Sequence, residues 1–196
     1  YAVNDERGIC PEGWSVPSNS DYVQLIDFLG EESGGYEGKS ELQWIVDPVD
    51  GTRNYALGVP HFAVSIALVN RSETLIGVTY DPVRNELFHA TKGGGAFLNG
   101  RRISVSSRTS PEDILLGFDI GFINDSAKHR LKMVRDLLPS LQAIRVMGSA
   151  TLGFCYVAAG RLDIYFHDTL APWDVAAGIL IVEESGGVSR DSDGDL

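Results

Sequence analysis

The sequence contains few cysteines and no long hydrophobic run. Only Cys10 and Cys155 occur among its 196 residues, and neither belongs to a CxxC pair, so no zinc-binding or redox motif is visible. We expect two free thiols in a reducing compartment. No apolar stretch approaches the roughly 20 residues that a membrane-spanning helix needs, and no signal peptide is visible. These features predict a cytoplasmic protein that has no membrane partner.

Positive charge is also scarce. The chain holds 16 Lys and Arg against 27 Asp and Glu, which gives a formal net charge of −11. A strongly acidic chain repels polyanions, and this argues against nucleic acid or an anionic membrane as a partner. Clustered carboxylates, in contrast, favour cations. The hydrophobic content of 43% is sufficient for the core of one large domain or two small ones.

The apolar pattern predicts an antiparallel meander followed by alternating strands and helices. Three strand candidates with short turns between them cover residues 61–70, 74–81 and 85–93. Later in the chain, strands are predicted within 113–119, 143–148, 161–167 and 187–190, and helices within 125–138, 149–160 and 171–187. A meander that precedes alternating elements predicts a layered α/β sandwich.

The stretch "WIVDPVDGTRNY", residues 44–55, carries the first chemical signal. A buried strand ends at Asp47, and Asp50 follows about one turn later, so both carboxylates can face one pocket. Two buried carboxylates repel each other unless a cation lies between them, and oxygen ligands beside a phosphate favour magnesium. Gly51 and Thr52 then offer backbone amides to an anion. The alternative is that the two aspartates only cap a turn.

Two further acidic features accompany this motif. In "APWDVAAG", Asp174 lies in the first turn of an otherwise apolar helix, where it can also serve only to complement the helix dipole. Glu31 and Glu32 follow Gly30 at the end of a predicted helix over residues 21–29, and by themselves they are an exposed charge pair. Each feature has an ordinary structural explanation when it is taken alone.

Together, "GEES", "WIVDPVDGTRNY" and "PWDVAAGILIVEESGG" resemble the inositol monophosphatase family of magnesium-dependent phosphatases, from about residue 30 to the end of the chain. The resemblance implies an αβαβα sandwich, here truncated at both termini. It also implies two or three Mg²⁺ ions, a small phosphorylated metabolite as the substrate, and a homodimer.

The resemblance also implies roles for individual residues. Glu31 would bind a metal ion and Asp47 would bridge two ions, while Val49 would add its backbone carbonyl. The carboxylates of Asp50 and Asp174 would complete the second metal site, so that the implied metal ligands are Glu31, Asp47, Val49, Asp50 and Asp174. Thr52 would orient the attacking water, and the amides of Gly51 and Thr52 would hold the phosphate.

The implied substrate residues form a second group. Gly148, Ser149 and Ala150 resemble the family's loop that contacts the hydroxyl groups of the substrate. Seven residues before the motif aspartate, the animal inositol enzymes carry a glutamate that binds an inositol hydroxyl, and this chain has His167 there. That departure weakens the expectation of inositol as the substrate. A structural residue at a strand end is the alternative role for His167.

The first thirty residues do not fit the family. The segment "CPEGWSVP" and the residues after it resemble a FISUMP-domain segment of bacterial surface proteins. We therefore divide the chain into an atypical segment, residues 1–30, and an incomplete phosphatase-like domain, residues 31–196, and we expect a fragment or a chimera. A divergent phosphatase N-terminus is the alternative. Since the family's two N-terminal helices are replaced, we expect marginal stability and weak activity.

The predicted activity is magnesium-dependent hydrolysis of a small phosphomonoester, such as inositol monophosphate or another polyol or sugar phosphate, by a metal-activated water. Related phosphatase substrates are alternatives: histidinol phosphate, fructose 1,6-bisphosphate or a nucleotide 3′-phosphate. A catalytically impaired fragment that only binds metal or phosphate is the alternative from another functional class.

Overall fold

The computed structural model describes residues 41–71, 73–121, 125–167 and 169–191, with residues 125, 126 and 129 described by their backbone alone. Glu31, the predicted helix over residues 21–29 and the proposed boundary at residue 30 lie outside the described residues.

Six strands form an antiparallel sheet in which each strand pairs with the next one along the chain. They are β1 (Gln43–Asp50), β2 (Ala63–Val69), β3 (Thr74–Asp81), β4 (Glu86–Thr91), β5 (Gly95–Leu98) and β6 (Arg101–Arg102). Short turns connect most of them, and Asn85 and Asn99 adopt positive φ angles of 53° and 48° in two of these turns. The predicted meander is confirmed.

Three strands form a second, parallel sheet in the order β8–β7–β9. They are β7 (Leu115–Phe118), β8 (Ala143–Val146) and β9 (Ile164–Phe166). Helix α2 (Asp125–Leu137) connects β7 to β8, and helix α3 (Ala150–Ala158) connects β8 to β9. A short helix α1 (Thr52–Ala56) follows β1, and a helix α4 (Pro172–Glu184) follows β9.

The strand predicted at residues 187–190 is wrong. The described chain leaves α4 through Gly186, whose φ is +92°, and Gly187 still donates its amide to the Val182 carbonyl, 2.9 Å away. Residues 187–190 join neither described sheet. An alternating sequence forms a strand only where a neighbouring strand supplies hydrogen-bond partners.

Helices α3 and α4 lie between the two sheets. Glycines allow this close packing, because a Cβ at Gly77 of β3 would lie 2.8 Å from the Ala177 carbonyl oxygen of α4. A Cβ at Gly153 of α3 would lie 2.4 Å from the ring of Tyr165 in β9. Helix α2 covers the parallel sheet through Val134, which packs with Leu116 and Phe118. The predicted layered α/β sandwich is confirmed.

The layering brings four chain segments to one place. The end of β1, the start of α1, the start of α3 and the start of α4 all line one cavity. The core beneath it contains fully buried Phe88, Leu152, Leu180 and Ile181. Among the described helices, none is long and apolar enough to cross a lipid bilayer.

Candidate active site

A β-bulge at the end of β1 sets the direction of the two motif aspartates. Strand β1 pairs regularly with β2 as far as Asp47, and the register then shifts before Asp50. In a regular strand, residues three apart point to opposite faces of the sheet. The extra residue of a bulge reverses that alternation, so Asp47 and Asp50 reach the same side. Asp47 is 2% exposed, and its Oδ1 accepts a 3.0 Å hydrogen bond from the Val49 amide.

Asp50 is held by the first turn of α3. Its Oδ2 accepts hydrogen bonds from the Ser149 hydroxyl, the Thr151 hydroxyl at 2.7 Å and the Thr151 amide at 3.0 Å. Its Oδ1 accepts the Ala150 amide at 3.2 Å. Burial raises the pKa of Asp50, although these donors work in the opposite direction. A fixed carboxylate that is costly to ionise is well suited to hold a cation, because the cation offsets the cost of its charge.

Asp174 approaches from the first turn of α4. It is half-buried, and its Oδ2 accepts a 2.8 Å hydrogen bond from the Ala171 amide just before the helix. Burial raises the pKa of Asp174 as well, and it outweighs that hydrogen bond and the nearby His167.

The structure brings three of the predicted metal ligands together. Asp47, Asp50 and Asp174 each offer one carboxylate oxygen, and these three oxygens lie within 4.8 Å of one another. An all-oxygen set of this kind fits a hard divalent cation such as Mg²⁺, which is commonly bound by a few carboxylates and keeps several waters. The individual metal-binding roles stay predictions, and Glu31 is not among the described residues.

Val49, Gly51 and Thr52 continue the motif beside these carboxylates. The Thr52 hydroxyl donates a 2.9 Å hydrogen bond to the Val49 carbonyl, the oxygen that the resemblance assigns to a metal ion. A carbonyl oxygen has two lone pairs, so it can accept this bond and still ligate a cation. Gly51 precedes α1 with φ +84°, a conformation that L side chains rarely adopt.

The predicted substrate residues face the same cavity, which has a volume of about 780 Å³. Gly148, Ser149 and Ala150 line it beside Gly51 and Thr52, and His167 lines it near Asp174. The Nδ1 atom of His167 accepts a 3.2 Å hydrogen bond from the Thr169 amide. The structure therefore places the candidate substrate residues around the same cavity as Asp50 and Asp174, and Asp47 lies close to these two carboxylates. The role of His167 stays a prediction.

Asn54 is a further cavity residue, which the sequence patterns did not single out. Its Nδ2 donates hydrogen bonds to the carbonyls of His61 and Met147, both at 2.8 Å, and to that of Gly148 at 3.3 Å. Asn54 thus links α1 to the loop before α3. Its position inside the "DGTRNY" motif is the signal that points to it.

Asp119 is a second cavity residue that was not among the predicted site residues. This buried carboxylate follows β7, lines the cavity and accepts hydrogen bonds from the Met147 and Gly148 amides. Asp119 is the last residue of the strand predicted within 113–119, and the carboxyl ends of strands in α/β sheets are where binding sites form. Its position was therefore a signal that the sequence contained.

Replacing Asp174 with Asn is expected to stabilise the protein in the absence of divalent cations. The raised pKa of Asp174 means that stability is lost as pH rises from the ordinary aspartate value, about 3.9, through that raised pKa. An asparagine loses no proton over that range. The gain is below about 1 kcal/mol because the group keeps contact with solvent, which corresponds to about 1–3 °C in Tm.

Thermal unfolding at pH 5 to 8 in EDTA, and again in Mg²⁺, measures this effect. The parent should gain stability from Mg²⁺ and the variant should gain much less, because one carboxylate ligand is gone. A variant that is less stable than the parent in EDTA at pH 7 contradicts the prediction.

Comparison with known proteins agrees with this geometry. The model of the inositol monophosphatase family matches residues 18–195. The protein named Nus factor SuhB from Pasteurella multocida is 45% identical over 201 residues, which cover 92% of this chain and 75% of that protein. An inositol-1-monophosphatase from Mesorhizobium japonicum is 42% identical over 169 residues, covering 85% of this chain and 64% of that protein.

A solved structure gives the same result. The extragenic suppressor protein SuhB from Bartonella henselae superimposes with a TM-score of 0.82 at 41% identity, covering 90% of this chain and 70% of that one. The chain spans 75% of the length of the Pasteurella multocida relative and 64% of the length of the Mesorhizobium japonicum relative.

Proposed function

Because the chain belongs to the inositol monophosphatase family, we propose that it hydrolyses a small phosphomonoester with Mg²⁺ as the cofactor. The observation that carries this proposal is the placement of three carboxylates from distant parts of the sequence, Asp47, Asp50 and Asp174, beside one cavity. The relative from Mesorhizobium japonicum is named for hydrolysis of an inositol monophosphate.

Each group of residues has a distinct part in this proposal. Asp47, Asp50, Asp174, Glu31 and the Val49 carbonyl would hold two or three Mg²⁺ ions. When bound, magnesium supplies positive charge that acidifies water and neutralises the charge developing on the phosphate ester. The Thr52 hydroxyl, whose oxygen lies 2.9 Å from the Val49 carbonyl, would accept a hydrogen bond from the attacking water. The Gly51 and Thr52 amides would hold the phosphate oxygens.

Metal ions and backbone amides would contact only the phosphate, so they would not distinguish one leaving group from another. The part of the substrate beyond the phosphate would instead contact Gly148, Ser149, Ala150 and His167 on the other walls of the cavity. The loop residues Gly148, Ser149 and Ala150 carry no charged side chain, and this favours broad selectivity among small polyol and sugar phosphates. We further propose a cytoplasmic homodimer that does not bind nucleic acid, in keeping with the acidic composition.

Release of inorganic phosphate from a panel of phosphomonoesters, measured with Mg²⁺ and with EDTA, tests the proposal. The panel contains inositol 1-phosphate, glycerol 2-phosphate, fructose 1,6-bisphosphate, histidinol phosphate and a nucleotide 3′-phosphate. Magnesium-dependent turnover of the polyol phosphates supports the proposal, and preference for one of the last three compounds favours the related phosphatases. A chain that binds Mg²⁺ but hydrolyses nothing in the panel is the impaired fragment.

The variant His167→Glu is expected to raise the preference for inositol 1-phosphate over glycerol 2-phosphate by about tenfold. A carboxylate at this position can accept hydrogen bonds from two ring hydroxyls, and each charge-assisted bond contributes about 1.5–3 kcal/mol. The neutral imidazole of His167 has one acceptor nitrogen, and this Nδ1 already accepts the Thr169 amide, so the ring can only donate to a hydroxyl. The ratio of the two kcat/KM values measures the effect. His167→Gln is the matched neutral control, and an unchanged ratio in the glutamate variant means that His167 does not contact the substrate.

A further inference from the structure

Asp119 connects the end of β7 to the loop of residues 147–149 and to β9 through hydrogen bonds. It follows β7, is only 5% exposed, and lines the cavity that contains Asp50 and Asp174. Its Oδ1 accepts hydrogen bonds from two successive backbone amides, Met147 at 3.0 Å and Gly148 at 2.6 Å. Its Oδ2 accepts a 2.7 Å bond from the Tyr165 hydroxyl of β9.

The two amides form a concave anion-binding arrangement. Gly148 has φ +78°, and a residue in this left-handed region turns its own amide and the preceding one toward a common point. Here that point is a carboxylate of the same chain. The Asp119 side chain therefore determines where the loop of residues 147–149 lies.

The opposite side of this loop contacts the candidate metal site. Ser149, which follows Gly148 directly, donates to Asp50, and the amides of Ala150 and Thr151 donate to the same carboxylate. Asn54 holds the carbonyls of Met147 and Gly148 from α1. A displacement of the loop away from Asp119 therefore moves the donors that orient Asp50.

We infer that Asp119 is a positioning residue that acts through the 147–149 loop on Asp50, and so sets both cation affinity and the shape of the substrate-binding wall. Only the expected effect on catalysis rests on the proposed function, whereas the expected effect on Mg²⁺ affinity does not depend on it. Asp119 is not one of the three clustered carboxylates, and both of its oxygens already accept hydrogen bonds. Its carboxylate positions the loop, and the loop positions the hydrogen-bond donors to Asp50, a candidate metal ligand.

The test is Mg²⁺ binding by the full chain, measured by isothermal titration calorimetry without substrate. Asp119→Ala leaves the two amides without their acceptor, and the Mg²⁺ dissociation constant is expected to rise about tenfold, the lower end of effects for residues that support metal ligands. Asp119→Asn keeps an acceptor oxygen for both amides, so the constant should stay within about threefold of the parent value. This rescue separates hydrogen bonding from charge.

Asp163 supplies the matched control. It is another buried carboxylate, which accepts hydrogen bonds from the Leu115 amide at 2.7 Å and from Arg108 Nε at 2.7 Å, but it does not line the cavity with Asp50. Asp163→Ala should lower Tm and leave the Mg²⁺ dissociation constant unchanged. If Asp119→Ala does not fold, Asp119→Glu serves instead, because its longer side chain displaces the loop of residues 147–149. This variant should weaken Mg²⁺ binding about as much as is expected for Asp119→Ala.

Any of three results overturns the inference. The first is unchanged Mg²⁺ affinity in Asp119→Ala or its substitute Asp119→Glu. The others are an equal loss of Mg²⁺ affinity in Asp163→Ala and an Mg²⁺ affinity in Asp119→Asn as low as that of Asp119→Ala. The result for catalysis is separate. A parent chain that binds Mg²⁺ but releases no phosphate contradicts the proposed function, and the comparison of dissociation constants still decides the role of Asp119. In an active parent, Asp119→Ala should also raise KM several-fold at saturating Mg²⁺.

Discussion

The variant Asp47→Asn is expected to lower kcat by about a thousandfold or more, which corresponds to roughly 4 kcal/mol of lost transition-state stabilisation. Asparagine has nearly the same shape, and its oxygen can still accept the Val49 amide that Asp47 Oδ1 accepts at 3.0 Å. What it lacks is the negative charge among three clustered carboxylates. The fold should persist, since the change removes a buried charge that is costly without a cation.

Steady-state phosphate release in saturating Mg²⁺ measures this loss, with circular dichroism to verify folding. Asp81→Asn is the matched control. Asp81 is fully buried at the end of β3, and its Oδ1 accepts the Val83 amide at 2.9 Å, two residues along the chain, as Asp47 accepts Val49. It pairs with Arg84 and does not belong to the group of candidate metal ligands, so its variant should lose stability and keep its activity. Near-parental turnover in Asp47→Asn eliminates the assigned site.

The second large effect is expected for Gly51→Ala, which should reduce kcat/KM by about a hundredfold, because small misplacements at a reacting centre have effects of that size. The backbone at Gly51 has φ +84°, and this left-handed conformation costs an L residue about 1–2 kcal/mol. A Cβ there would also lie 3.1 Å from the carbonyl oxygens of both His61 and Gly148. Relief of these contacts must move Gly51, whose amide we propose to hold phosphate, or the backbone at Gly148 or His61.

The variant Gly100→Ala separates the effect of backbone strain from the effect of the close Cβ contacts. Gly100 has φ +74°, but a Cβ there would meet nothing within 4 Å, and the residue lies in the β5–β6 turn away from the cavity. This variant carries the backbone strain without the contacts. Both variants should lose similar stability from strain, and only Gly51→Ala should lose activity. Equal kcat/KM values in the two variants would show that the conformation at Gly51 does not position the site.

The sequence was sufficient for the elements and for the types of chemical group. Strand β3 was predicted at residues 74–81 and is observed at Thr74–Asp81, and the predicted buried helix over residues 171–187 contains α4. Apolar periodicity determines such elements because it reflects which side of a segment is buried. The motif stretches also identify the family, which the match over residues 18–195 confirms.

The mutual placement of the site groups could not be predicted from local patterns. A regular strand would point Asp47 and Asp50 to opposite faces, and only the bulge against β2 brings them together. Asp174 reaches them because glycines at positions 77 and 178 let α4 approach β3 and Phe154 closely. These features depend on strand register and on contacts between residues far apart in sequence, which no short stretch encodes.

The sequence by itself therefore determined the family, the layered α/β class, and the oxygen-rich character of the candidate site. Only the tertiary structure decided which of the acids near the cavity lie close enough together to share a cation. Asp119 and Asp50 are both buried acids near strand ends, and both accept backbone amides, but among the described residues only Asp50 is grouped with Asp47 and Asp174. The physical reason is that a carboxylate's role is set by the donors and charges that packing places around it, whereas its identity alone is set by the sequence.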